Sequence, residues 1–199
     1  MIDEAVDAIR KGRPVILPTD TVYGLCTTPY AAEPVERLYR LKGRPAAQPT
    51  AIVASDVDML FECVPELRGR AGRLARALLP GPYTLVLPNP GRRFRWLCGE
   101  RPDAIGVRVP ALDGEAAAVL AWAGAVVATS ANLAGGPEPR RLEDVPSELR
   151  EAAAAALDGG ELPGTPSTVI DFTGPEPRVV REGAGSVDEA LDRARRAAA

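Results

Sequence analysis

The chain has 199 residues, 46% of them hydrophobic and 26% charged, with a formal net charge of −3 at pH 7. That balance excludes disorder and fibrous repeats, suffices for one well-buried domain over residues 1–199, and argues against a nucleic-acid surface spread over the whole protein. No apolar run approaches the roughly 18 residues of a membrane span, and the acidic, helical start does not read as a signal peptide, so a cytoplasmic protein with no membrane partner is expected.

Apolar spacing at Ala5, Val6 and Ile9 predicts a first helix ending near Gly12, and 14–18 reads as a short buried strand. The segment Pro18-Thr19-Asp20-Thr21-Val22-Tyr23-Gly24-Leu25 then reads as a loop at the strand's end, offering hydroxyls. A helix over 33–41 stops at Lys42-Gly43-Arg44-Pro45, and 51–54 is a strand. Helical patterns follow at 57–62 and 66–79, the second carrying Arg68, Arg70, Arg73 and Arg76 as a solvated face. Strands are expected at 83–87, 105–109, 125–129, 168–172 and 179–181, and helices at 114–123, 147–157 and 187–198. Interleaved helices and strands imply an α/β fold, a twisted mixed sheet with helices on its faces. The loop 133–141, rich in Gly and Pro, is the segment most prone to move.

The chain contains no histidine, which removes the commonest general base, the commonest metal ligand and every Ser-His or Cys-His pair. Carboxylates, hydroxyls, backbone amides and cations remain, a set suited to catalysis by holding charged groups, as in phosphoryl and nucleotidyl transfer. Cys26, Cys63 and Cys98 are far apart and fit neither a disulfide framework nor a metal site, so they read as buried thiols of a reducing compartment. Almost all positive charge is arginine, which singles out Lys42.

Thr19-Asp20-Thr21, Arg108, Thr129-Ser130-Ala131-Asn132 and Ser167-Thr168 each flank an apolar run, where ligands of open α/β sheets collect. Arg44, Arg108 and Arg181 can clamp carboxylate or phosphate bidentately. Taken singly, such hydroxyls are usually caps and such arginines usually surface charges. No GxxxxGK[ST] loop and no GxGxxG pattern occur, so any ATP would be held by side-chain cations and hydroxyls.

In order along the chain stand PTDTVYGL at 18–25, KGRP at 42–45, PGPYTLVL at 80–87, VRVP at 107–110, TSAN at 129–132, STVID at 167–171 and REG at 181–183. Each is weak alone; together they resemble the YrdC-like threonylcarbamoyl-AMP synthases, in their short single-domain form. The resemblance implies a YrdC-like fold with a large basic cavity in which L-threonine, bicarbonate or CO2 and ATP, with Mg²⁺, yield threonylcarbamoyl-AMP and pyrophosphate. The product would pass to a tRNA threonylcarbamoyl transferase complex for modification of adenosine 37. Carried over by motif, Thr21, Arg108, Ser130 and Ser167 resemble the threonine contacts. Lys42, Arg44, Gln48, Asn132, Arg140 and Arg181 resemble the ATP contacts, with Lys42 and Arg44 catalytic and no protein-held metal. The segment after Arg44 departs from the pattern, placing Thr50 and Val53 near the threonine site, and Ala134 stands where serine is usual. The alternatives are a divergent paralogue with another carbamoyl or nucleotide reaction, and an RNA-binding protein of the same fold with weak affinity for RNA.

Overall fold

Nine strands form one mixed sheet in a computed structural model that describes residues 1–45 and 47–198. They are β1 (Val15–Pro18), β2 (Tyr23–Thr27), β3 (Ala51–Ala54), β4 (Tyr83–Pro88), β5 (Ala104–Arg108), β6 (Ala125–Ser130), β7 (Ala155–Ala156), β8 (Thr168–Asp171) and β9 (Arg178–Arg181). Their spatial order is β7-β1-β2-β6-β3-β5-β4-β8-β9. Helices α1 (Ile2–Arg10), α2 (Ala32–Lys42), α3 (Val57–Cys63), α4 (Gly69–Leu78), α5 (Gly114–Ala123), α6 (Ser147–Ala152) and α7 (Val187–Ala198) complete the fold. β1 runs parallel to β7, β3 to β5 and β4 to β8, and the remaining neighbours are antiparallel.

Alternation along the strands sends successive side chains to opposite faces. Ile16, Leu25, Ile52, Leu85, Ile105, Val107, Val127 and Ile170 are buried on one face in a cluster that also takes residues of α2, α3, α4, α6 and α7. Val15, Leu17, Cys26, Val53 and Val126 form a second cluster with α1 and α5. That second layer covers only part of its face. Further along, Gly24, Ala51, Gly106 and Ala128 floor a cavity to which no helical residue contributes among the described residues. Small floor residues therefore keep a pocket where a helix would otherwise pack.

The sequence reading differs from the structure in two places. Only the first part of 18–25 is a loop, because from Tyr23 onward the segment is β2, paired with β1 from Val15↔Cys26 to Pro18↔Tyr23. Its continuous burial hides the alternation that marks a strand. The helix expected over 147–157 ends at Ala152, and Ala155–Ala156 becomes the edge strand β7. The alanines favour helix, but the amides of Ala154 and Leu157 bond the carbonyls of Pro14 and Ile16 at 2.8 and 3.0 Å, and Leu157 enters the second core cluster. Tertiary pairing outweighs propensity there.

The α4 arginines lie on its exposed face, with Arg70 donating to the carbonyls of Gly174 and Pro175 and Arg73 to that of Ala197. All three cysteines are free and buried. Among the described residues no helix is long and apolar enough to cross a membrane.

Leu157 tests the corrected segment. In β7's register its side chain is core, so Leu157→Ala is expected to cost about 2–5 kcal/mol by urea unfolding. On the solvent face of a helix the same change would stay within about 0.5 kcal/mol.

Candidate active site

Sheet register gathers the polar motifs around the cavity, which measures about 480 Å³. Gly24 pairs with Ser130, which brings the first motif against TSAN. Val53 pairs with Arg108 while Ala51 pairs with Ala128, so Arg108 and Ser130 come from opposite ends of β3 and face a common floor. Val169 pairs with Thr84 and Arg181, which sets Ser167, one residue before β8, beside both.

Of the ten predicted site residues, Arg44, Arg108, Ser130, Ser167 and Arg181 line the cavity. Thr21, Lys42 and Asn132 lie behind this wall, buried. Gln48 and Arg140 are exposed and outside the lining, Arg140 being paired with Glu161 at 2.7 Å.

Arg108 is held by Asp20, which also accepts from the Ala111 amide at 3.1 Å, and it donates to Thr21 Oγ1 at 2.8 Å. Asp20, whose role the sequence leaves open between loop and ligand contact, is therefore the ion-pair partner of this arginine. Thr19 shapes the turn from within, since its Oγ1 accepts from the amides of Thr21 and Val22 and donates to the Val22 carbonyl.

Arg44 donates to Thr129 Oγ1 at 2.9 Å and to the Pro49 carbonyl, and its guanidinium lies 5.7 Å from the Tyr39 ring centroid. Tyr39 is itself anchored to Thr50 at 2.6 Å. Arg181 donates to the Ser167 carbonyl at 2.8 Å and to its Oγ at 3.2 Å, and Thr84 meets the same hydroxyl at 2.8 Å. Among the described residues neither Arg44 nor Arg181 has a carboxylate partner. Burial, followed by the neighbouring charges of Arg108 and Arg44, lowers the pKa of Arg181; burial likewise lowers that of Arg44. For Arg181 the nearby Glu138 carboxylate opposes this shift without reversing it, so burial decides the direction.

Lys42 sits behind TSAN, donating to the Ser130 carbonyl and to Asn132 Oδ1 at 3.0 Å. Asn132 also accepts from the Ser130 hydroxyl at 2.6 Å and donates to the Gly136 carbonyl at 2.7 Å. This network, with the Ala134 amide on the Lys42 carbonyl, anchors the start of the loop 133–141. Burial, then the nearby charge of Arg44, brings Lys42 down to about 8.

Sequence reasoning missed two features of the wall. Thr129 is legible as part of TSAN, but the contact of Asp171 with Arg178 follows from β8–β9 pairing, and that of Asp171 with Arg101, which precedes β5, from the packing of distant segments. Burial raises the Asp171 carboxyl, yet hydrogen bonds from Thr173 and Arg101 hold it well below the usual carboxylate range. Glu138 lines the cavity with Oε2 buried and unbonded, and nothing in the local sequence marks it.

Fold and cavity together define an α/β protein with Arg44, Arg108 and Arg181 around one cavity on an open sheet face. The chain belongs to the Sua5/YciO/YrdC family, whose model, described as "Telomere recombination", matches residues 7–183. It is 34% identical over 186 residues to a protein of Pyrococcus abyssi named threonylcarbamoyl-AMP synthase, covering 93% of this chain and 54% of that one. A protein of the same name from Xanthomonas euvesicatoria is 37% identical over 160 residues, covering 79% and 83%. The crystal structure of P. abyssi Sua5 complexed with L-threonine superposes with a TM-score of 0.84 at 33% identity, over 96% of this chain and 56% of that one. The chain thus spans about half the length of the Pyrococcus relative.

Two outcomes test this geometry. The folded pKa of Lys42 lies below its unfolded value, so the penalty of burying its charge is full below about pH 8 and is relieved as pH rises toward the unfolded lysine value. Stability relative to Lys42→Met should therefore rise across that window in urea titrations. At Gly183 an added Cβ would stand 2.1 Å from the Pro166 carbonyl and 2.7 Å from backbone of Ser167. Gly183→Ala should destabilise by about 1–3 kcal/mol, read by the same titration, and weaken ligand binding by displacing Ser167.

Proposed function

We propose that this protein is a threonylcarbamoyl-AMP synthase, a nucleotidyltransferase that joins L-threonine, bicarbonate or CO2 and ATP and releases pyrophosphate. The observation carrying this reading is the pair of guanidiniums without carboxylate partners, Arg44 and Arg181, at a cavity that Arg108 also lines. Such a group fits a substrate set of one carboxylate and one triphosphate. The synthase names and the threonine complex among the relatives support the substrate assignment.

In this reading Arg108, oriented by Asp20 and Thr21, takes the threonine carboxylate, and Ser130 and Ser167 bond its polar groups. Arg44 and Arg181 take the phosphates. Lys42 and Asn132 hold Ser130 and the following loop, while Gln48 and Arg140 stand outside the wall, where they would meet only an extended nucleotide. The threonine amine adds to the carbon of CO2, one C=O bond opening to C–O⁻ as the nitrogen gives up a proton to solvent, and the carbamate forms; starting from bicarbonate the same product forms with loss of water. A carbamate oxygen then forms a bond to the α-phosphorus as the bond to pyrophosphate breaks. The protein contributes alignment and charge neutralisation, which requires no histidine.

Magnesium is usually held by one or two carboxylates plus substrate phosphates. The described residues contain no cluster of three acidic, Cys or His side chains, but the unbonded Glu138 oxygen suits a single ligand to an ion carried in on the nucleotide. The ion would neutralise phosphate charge. Buried free thiols are consistent with cytoplasmic work, and the product would pass to a tRNA threonylcarbamoyl transferase.

The test is pyrophosphate release from ATP and bicarbonate with and without L-threonine. Release should depend on threonine and fall on the order of 10²-fold or more in Arg44→Ala, as for loss of one transition-state donor. Release indifferent to threonine would indicate the divergent paralogue, and near-normal turnover in Arg44→Ala would remove Arg44 from the reaction.

A further inference from the structure

Four buried side-chain polar atoms lack a hydrogen-bond partner among the described residues, and three of them belong to residues lining the first cavity: Arg44 Nε, Arg108 Nε and Glu138 Oε2. A buried polar atom left unbonded is costly, so three at one cavity mark what a ligand has to answer. They are of opposite kinds. Each Nε is a donor that calls for an anion, whereas the carboxylate oxygen is an acceptor that calls for a cation or a proton donor. Among the described residues no ion pair joins Glu138 to Arg44, Arg108 or Arg181.

Glu138 stands between Pro137 and Pro139. Pro137 has its own φ fixed, and Pro139 confines Glu138 to extended backbone. On one side Asn132 Nδ2 holds the Gly136 carbonyl at 2.7 Å, and on the other the Tyr23 amide, at the start of β2, holds the Pro139 carbonyl at 3.1 Å. The carboxylate is thus presented at the cavity wall by backbone fastened within two residues on either side. Its field reaches the cations nearby, where it opposes the lowering of Lys42 and of Arg181.

We propose that Glu138 makes this cavity selective for the metal-bound form of the nucleotide, ligating Mg²⁺ on the phosphates and repelling the same phosphates when they are bare; the inference rests on the ATP reading above. A metal-bound phosphate chain answers both kinds of orphan atom at once, with oxygens for the guanidiniums and a cation for the carboxylate. Magnesium suits that division, since it is usually bound through one or two carboxylates plus substrate phosphates. The threonine ammonium is the other cation in this reading. A carboxylate against it would favour the protonated form, which cannot attack carbon.

The test is isothermal titration of the full chain with ATP, without threonine and bicarbonate so that no turnover intervenes, once in excess Mg²⁺ and once in chelator. The unsubstituted chain should bind the magnesium complex more tightly than bare ATP. Glu138→Gln should bind bare ATP more tightly and the complex more weakly, so that the ratio of the two affinities falls on the order of tenfold, as one carboxylate beside a charge in a partly buried site requires. Glu138→Asp, which keeps the charge and shortens the reach, should still disfavour bare ATP while losing affinity for the complex. Each ratio is taken within one variant, so any loss of folded protein cancels. An unchanged ratio in Glu138→Gln, or tighter binding of bare ATP than of the complex by the unsubstituted chain, would overturn the proposal and leave the synthase reading intact. Weaker threonine binding by Glu138→Gln with an unchanged nucleotide ratio would also overturn it, by assigning the carboxylate to the ammonium. Absence of ATP binding in both media would remove the proposal and the synthase reading together.

Discussion

Arg44, Arg108 and Arg181 share a partly buried cavity, and of the three only Arg108 forms an ion pair among the described residues; the rest of the site can be understood from that imbalance. A guanidinium removed from water without an anion is costly, so the protein spreads the cost over neutral acceptors: the Thr129 and Ser167 hydroxyls, the Pro49 and Ser167 carbonyls, and the face of Tyr39. The cavity exists because α1 and α5 cover only part of one sheet face and the exposed floor carries Gly24, Ala51, Gly106 and Ala128. Larger residues there would give a better-packed core and no site.

Behind the wall lies a second tier that touches no cavity space. Lys42, Asn132 and Thr21 are buried and bonded to the groups that do face it. Lys42 illustrates the trade: its ammonium, partly desolvated, is retained because it fastens the end of β6 to the loop that follows. Fastening of this kind fixes where the Ser130 hydroxyl points without adding charge to the pocket surface.

Much of this was legible in the residues. Amphipathic helices such as α1 and α7, and the β-branched runs of β3 and β4, announce themselves by period and by turn residues. β2 did not, because burial on both faces removes alternation, and β7 did not, because a run of alanines says helix until β1 supplies partners for its amides. At the site, the motifs name the residues but not their depth. Nothing local distinguishes Arg44, on the wall, from Lys42, two residues earlier and behind it. Glu138 carries no local mark in its loop, and the group around Asp171 depends on contacts between distant segments, so neither was visible.

The Asp20–Arg108 pair has a kinetic corollary. Its field largely cancels within the pair, so Arg108 does little to draw ligands from a distance and acts on contact. Arg44 and Arg181, which have no ion-pair partner among the described residues, supply the reach. Capture of a polyanion by this cavity should therefore slow with ionic strength, whereas capture of a zwitterion should hardly respond to it, so that the salt of the medium sets which kind of ligand arrives first.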